Sequence, residues 1–69
     1  MTNLEQAINI AAHKGAVIHA SRTRNGDLYV LAEWRGEFVT WGYNEGAFYH
    51  GHYFNADQYD TAQADLQTR

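Results

Sequence analysis

Apolar residues recur along this chain at two spacings, and the change between them divides it into six elements. From Asn3 to Lys14, the residues Leu4, Ala7, Ile8 and Ala11 fall three and four apart, the spacing of a narrow stripe on a helix. Asn3 stands where a cap is needed, Gln6 follows three residues later as in a capping box, and Gly15 suits the stop. Beyond Gly15 the pattern alternates. Val17–Thr23 and Leu28–Trp34 flank Arg24-Asn25-Gly26-Asp27, and Asn-Gly signals a hairpin because both residues tolerate positive φ. A two-residue loop at Asn25-Gly26 pairs Ser21 with Val30 and His19 with Ala32. A second tight turn at Arg35-Gly36 pairs Ala32 with Val39 and Val30 with Trp41. A third, around Asn44-Glu45-Gly46, fits a loop of two or three residues and leads into Ala47–Phe54. Asn55 or Asp57 is placed to cap a last helix running to about Thr68. Asp57 and Asp60 sit near its positive end, and Ala56, Tyr59, Ala62 and Leu66 fall near one face. The expected fold is α+β: one antiparallel four-stranded sheet between an N-terminal and a C-terminal helix (αββββα). Short connections make that sheet a meander, and residues 1–69 form a single compact domain.

Alternation along the strands also sorts side chains between the two sheet faces. In the assumed register one face carries Val17, His19, Ser21, Val30, Ala32, Trp34, Val39, Trp41 and Tyr43. The other carries Ile18, Ala20, Arg22, Tyr29, Leu31, Glu33, Phe38 and Thr40. Glu33 and Arg22 mark the second face as the wetter one, so the first is the expected core. Two helices of about twelve residues can cover one face of four strands and are poorly placed to cover both. Ile18, Tyr29, Leu31 and Phe38 are therefore expected to form a partly exposed apolar patch, the usual mark of a contact site. If the helices split between the faces, that patch is buried instead.

Composition sharpens this picture. All ten aromatic residues lie between Tyr29 and Tyr59, eight of them in the 21 residues from Trp34 to Phe54. Trp, Tyr and Arg are the side chains that most often dominate binding energy. Trp34 next to Arg35 at a hairpin tip is thus a candidate anchor. The candidate partner-binding residues are Tyr29, Phe38, Trp34, Arg35, Leu31 and Ile18; alanine at Tyr29, Phe38, Trp34 and Arg35 would test them first.

The formal net charge is −3, with Lys14 the sole lysine. Such a balance disfavours duplex nucleic acid, whose binding rests on a basic face. There is no cysteine, hence no disulfide or thiolate site. The N-terminal MTNLEQAINIAAHKG lacks the features of a secretory signal, and no apolar run approaches the length of a membrane helix. A cytoplasmic location is expected.

Catalytic chemistry finds little support. His50-Gly51-His52 places two imidazoles at i and i+2 on one strand, and His13 or His19 could add a third nitrogen. No cysteine or suitably spaced carboxylate completes a metal site, so no metal and no cofactor are expected. No nucleophile elbow and no phosphate loop occur, and Asp57 and Asp60 read as a solvated helix start. Tyr29 and Phe38, with Arg22 and Arg24 nearby, have the outline of a stacking platform for single-stranded nucleic acid. The acidic balance disfavours it.

One stretch carries a resemblance. FVTWGYNEGAFYHGHYFNADQYDTAQADL, from Phe38 to Leu66, resembles small uncharacterised proteins of bacterial phages and plasmids: a VTW strand, a GHYF strand, then a short helix with spaced alanines. It covers somewhat under half the chain. The resemblance implies an accessory protein of a mobile element, and small acidic proteins of that origin often bind and block a host protein, as anti-CRISPR proteins do. The expected function is therefore a non-enzymatic protein-binding inhibitor that occludes a site on its target. The alternatives are a homodimeric structural or regulatory module, whose second sheet face is the dimer contact, and a single-stranded nucleic-acid binder using the sheet aromatics.

Overall fold

The structure, a computed structural model, describes residues 2–69. Helix α1 spans Asn3–His13. Its cap is Thr2 rather than Asn3: the Thr2 hydroxyl accepts from the Glu5 N–H, and the Glu5 carboxylate accepts from the Thr2 N–H, both at 3.1 Å. Two capping boxes overlap here, and the one formed also brings a carboxylate to the helix's positive end. At the other end the Ala16 N–H reaches the Ala11 carbonyl at 2.8 Å and the Gly15 N–H reaches Ala12 at 3.1 Å. Gly15, at φ +86°, makes this left-handed stop possible.

Four antiparallel strands follow, β1 (Val17–Arg24), β2 (Asp27–Trp34), β3 (Glu37–Asn44) and β4 (Ala47–Phe54), in spatial order β1-β2-β3-β4. The expected meander and αββββα order are present. All three hairpins close through two-residue loops, Asn25-Gly26, Arg35-Gly36 and Glu45-Gly46, with both φ angles positive in each. That is the turn whose twist matches the strands. The third loop is thus settled at two residues. Residues 55–58 form a turn, in which the Gln58 N–H donates to the Asn55 carbonyl and the Asn55 N–H to Gln58 Oε1, both at 2.9 Å. Helix α2 then runs Tyr59–Thr68 with Gln58 at its cap position. Neither Asn55 nor Asp57 caps it, because this preceding turn delays the start.

The helices lie on opposite faces of the sheet. On face one, α1 buries Ala7 and Ala11 against Val30, Ala32, Val39, Trp41 and Tyr43, with Leu4, Ile10, Trp34 and Phe48 half-buried around them. Ile8, expected in the apolar stripe, is 45% exposed, and Ile10 packs in its place. On face two, α2 sets Ala62 and Leu66 on Leu31, flanked by Ala20, Tyr29, Phe38 and Phe54. The expected uncovered patch is therefore not formed: Leu31 has no exposed surface, and Tyr29 and Phe38 are half-buried beneath α2. Splitting two short helices between the faces is what small side chains permit, since Ala7, Ala11 and Ala62 let each backbone approach the sheet closely.

A bulge accounts for the other correction. Ser21 pairs with Val30 as expected, but Ile18, not His19, pairs with Ala32, and the register shifts between Ile18 and Ala20. One extra residue flips every position before it to the other face. Ile18 consequently packs with the α1 core, while His19 meets Phe38 and Tyr59 edge-on at ring distances of 5.9 and 6.1 Å. Strand β4 carries the matching irregularity. Thr40 pairs with His52 but Gly42 with Tyr49, so two β4 residues, His50 and Gly51, stand against Trp41 alone. His50 adopts φ +54° there. Both outer strands are bulged, a device that makes edges poor templates for pairing with another strand.

Candidate functional site

The six sequence-predicted contact residues do not form one surface. Leu31 is core, Ile18 belongs to the α1 face, and Tyr29 and Phe38 lie under α2. Trp34 and Arg35 remain together, at the β2–β3 turn. Arg35 takes φ +56° as the first loop residue, and this aims its guanidinium over the Trp34 ring, 4.3 Å from the centroid. Trp34 Nε1–H donates to the Lys14 carbonyl at 2.9 Å, tying the indole to the end of α1. The Lys14 ammonium lies 4.7 Å from the centroids of both Trp34 and Trp41 and 5.6 Å from that of Phe48. Trp34 and Trp41 tilt against each other at 5.5 Å, Trp41 and Phe48 at 4.7 Å. Two cations are thus held on aromatic faces, and among the described residues neither makes an ion pair.

A second cluster lies on face two. Asp65, on α2, accepts from the Thr40 hydroxyl at 2.5 Å and from His52 Nδ1 at 3.0 Å, and Arg69 Nε approaches it at 3.5 Å. Arg69 also donates to Thr40 Oγ1 and Thr40 O, each at 3.1 Å, and to the His50 carbonyl. Burial works to raise the Asp65 pKa. The hydrogen bonds from Thr40 and His52, with the charges of His52 and Arg69, outweigh it and hold the carboxyl below its usual value. The Thr40 hydroxyl donates to the Asp65 carboxylate and has no exposed surface, so no substrate atom can reach it. The cluster therefore ties α2 to β3 and β4.

Beside it the Tyr49 ring lies over Gly42, where an added Cβ would come within 2.5 Å of ring carbons. Burial foremost, then the negative charge of Asp27, pushes the Tyr49 phenol above its ordinary pKa. The His50–His52 pair is separated in role. The bulge interrupts the alternation that would align them, His52 is engaged by Asp65, and the His50 carbonyl is engaged by Arg69. Among the described residues no group of three or more His, Cys, Asp or Glu could hold a metal ion. Nor is any described helix long and apolar enough to cross a membrane.

An open groove of about 430 Å³ runs between α1 and the β3–β4 turn, lined by Gln6, Asn9, Ile10, Tyr43, Glu45 and Gly46. Its floor is tied by the Tyr43 hydroxyl donating to Gln6 Oε1 at 3.3 Å.

Sequence reasoning missed Lys14, Thr40, Asp65 and Arg69. Only the Asp65–Arg69 pair had a signal, their i,i+4 spacing on a helix. Lys14 meets Trp34 twenty residues away, and nothing local announces that contact.

No family model matches this chain, and neither curated proteins nor solved structures yield a match.

Proposed function

We propose that this chain is a non-enzymatic protein-interaction domain that docks through the Trp34–Arg35 hairpin tip. The observation that carries this reading is the guanidinium on the face of the indole at 4.3 Å with, among the described residues, no carboxylate paired to it. Arg35 and Trp34 combine a large aromatic surface with a charge that is already oriented, so little side-chain entropy remains to be lost on contact. In the finer reading, the domain inhibits by occlusion: a rigid tip on a rigid meander covers a site on a host protein. The bulges at His19 and His50-Gly51 favour contact through side chains at this tip over strand addition at the sheet edges.

Affinity capture from a host lysate tests it, comparing the wild-type chain, Arg35→Ala and a control at the opposite end of β3, Glu45→Asn. The reading requires a partner captured saturably by wild type and control and lost with Arg35→Ala while the circular dichroism spectrum is unchanged. Equal capture by all three, or capture by none, defeats it.

A further inference from the structure

The Lys14 ammonium, on a solvent-exposed residue, lies against three adjoining aromatic rings, with centroid distances of 4.7, 4.7 and 5.6 Å to Trp34, Trp41 and Phe48. Among the described residues it has no hydrogen bond to an acceptor and no carboxylate within ion-pair reach. A primary ammonium carries three N–H donors that want acceptors. Walls made of two indoles and a benzyl ring offer only π faces. They suit a cation that has no N–H to satisfy, and aromatic cages of this kind are how proteins recognise quaternary ammonium groups.

We propose that Trp34, Trp41 and Phe48 form a recognition cage for a quaternary ammonium group, filled in the free chain by the side chain of Lys14. The walls are fixed independently of their occupant. Trp34 is anchored by its Nε1–H to the backbone carbonyl of Lys14, a bond that survives any change of the Lys14 side chain. Trp41 is 3% exposed, and its indole nitrogen lies where a Cβ on Gly51 would come within 3.0 Å, so the glycine gives the ring its place. Lys14 itself stands at the exposed end of α1, on a flexible stem that can withdraw. The tethered ammonium thus acts as a weak internal competitor, and a trimethylammonium group takes its position when it leaves. This site stands whether or not the hairpin tip docks on a protein.

The experiment titrates the full chain with choline and with its neutral isostere 3,3-dimethyl-1-butanol. It follows the indole Nε1–H resonances of Trp34 and Trp41. Lys14→Ala should bind choline saturably and about tenfold more tightly than wild type, the effect of removing one competing cation–π contact. The neutral alcohol should not saturate, and Trp34→Leu should abolish the response to choline. Two results overturn the proposal: folded Lys14→Ala and Lys14→Gln with no saturable response in the millimolar range, or an isostere that binds as well as choline. Should both variants lose the fold, the wild-type chain decides: choline must shift the two indole resonances and the alcohol must not.

Discussion

On the α1 side, Ala7 and Ala11 settle directly on Val30, Ala32, Val39 and the Trp41 ring, and the contact is almost wholly apolar. On the α2 side, Ala62 and Leu66 are buried on Leu31 and Tyr59 meets Phe38 edge-on at 5.1 Å, while the polar part of the attachment is the network of Thr40, His52, Asp65 and Arg69. The difference follows from what each helix has to offer. The ten residues of α2 contain one large aliphatic side chain, worth about 1.5–3 kcal/mol when buried. Hydrogen bonds to charged groups contribute about 1.5–3 kcal/mol each, so two or three of them match or exceed the apolar term. A helix too poor in apolar residues to dock by burial can dock by charge, provided a buried partner such as Thr40 waits in the sheet.

Removing the apolar centre of each face should produce the largest effects. Trp41→Ala should cost about 3–5 kcal/mol and Leu66→Ala about 2–5. A domain of this size has about 3–10 kcal/mol in total. Trp41→Ala should therefore abolish the cooperative urea transition, while Leu66→Ala should retain a weakened one. If Leu66→Ala proves the more damaging, the ranking of the two faces is reversed.

Asp65→Asn should cost about 2–3 kcal/mol, because it leaves Arg69, 8% exposed, without its anion. This variant also carries a pH signature. The folded pKa of Asp65 lies below its unfolded value, so its stabilisation is complete above the ordinary carboxylate range. It is lost as pH falls through the folded pKa. The gap in urea midpoint between wild type and Asp65→Asn should thus narrow from about pH 7 to about pH 3. A constant gap would show that the carboxylate's charge contributes nothing to holding α2.

This contrast explains which parts of the fold were legible in the sequence. Turn chemistry was: Asn25-Gly26 and Arg35-Gly36 set two hairpins and the β2–β3 register, and Ala32 does pair with Val39 and Val30 with Trp41. The β1 bulge was not, because nothing near His19 marks an extra residue, while the β4 bulge had one mark, Gly51 inside a strand, that went unread. The consequence was the misplacement of Ile18 and Val17. Helix placement was not legible either, since the alanines that allow both faces to be covered look in sequence like a deficit of apolar lid. Of the candidate site, Trp34 and Arg35 were found because they adjoin in the chain. Lys14 was missed because it joins them only in three dimensions.

A smaller effect should come from Gly42→Ala, at about 1–3 kcal/mol, because the new methyl displaces the Tyr49 ring that now lies over the glycine. The phenol of Tyr49 would then move into water, and its pKa should return toward the ordinary tyrosine value. In the wild type that raised pKa stabilises the fold below the unfolded value, a contribution lost as pH rises through the folded pKa. Ultraviolet titration of the phenolates reads the change directly. An unaltered Tyr49 titration would mean that the ring is held by something other than its seat on Gly42.

The smallest effect expected is a gain. The first loop residues Asn25, Arg35 and Glu45 all adopt left-handed φ, at +52°, +56° and +48°. Asparagine occupies that region readily, whereas glutamate pays about 1 kcal/mol for it. Glu45→Asn should therefore stabilise the chain by about 0.5–1 kcal/mol, read as a higher urea midpoint at unchanged slope. Glu45 lies on the rim of the α1 groove and remote from the Asp65 network, so its gain should add to the Asp65→Asn loss without coupling. Combined with Tyr43→Phe, which removes the hydroxyl bonded to Gln6 in that groove, the gain should depart from additivity if the turn and α1 share strain. Additivity in both pairs would show that the hairpin tip is strained on its own account, and that the two faces of the sheet respond to it alike.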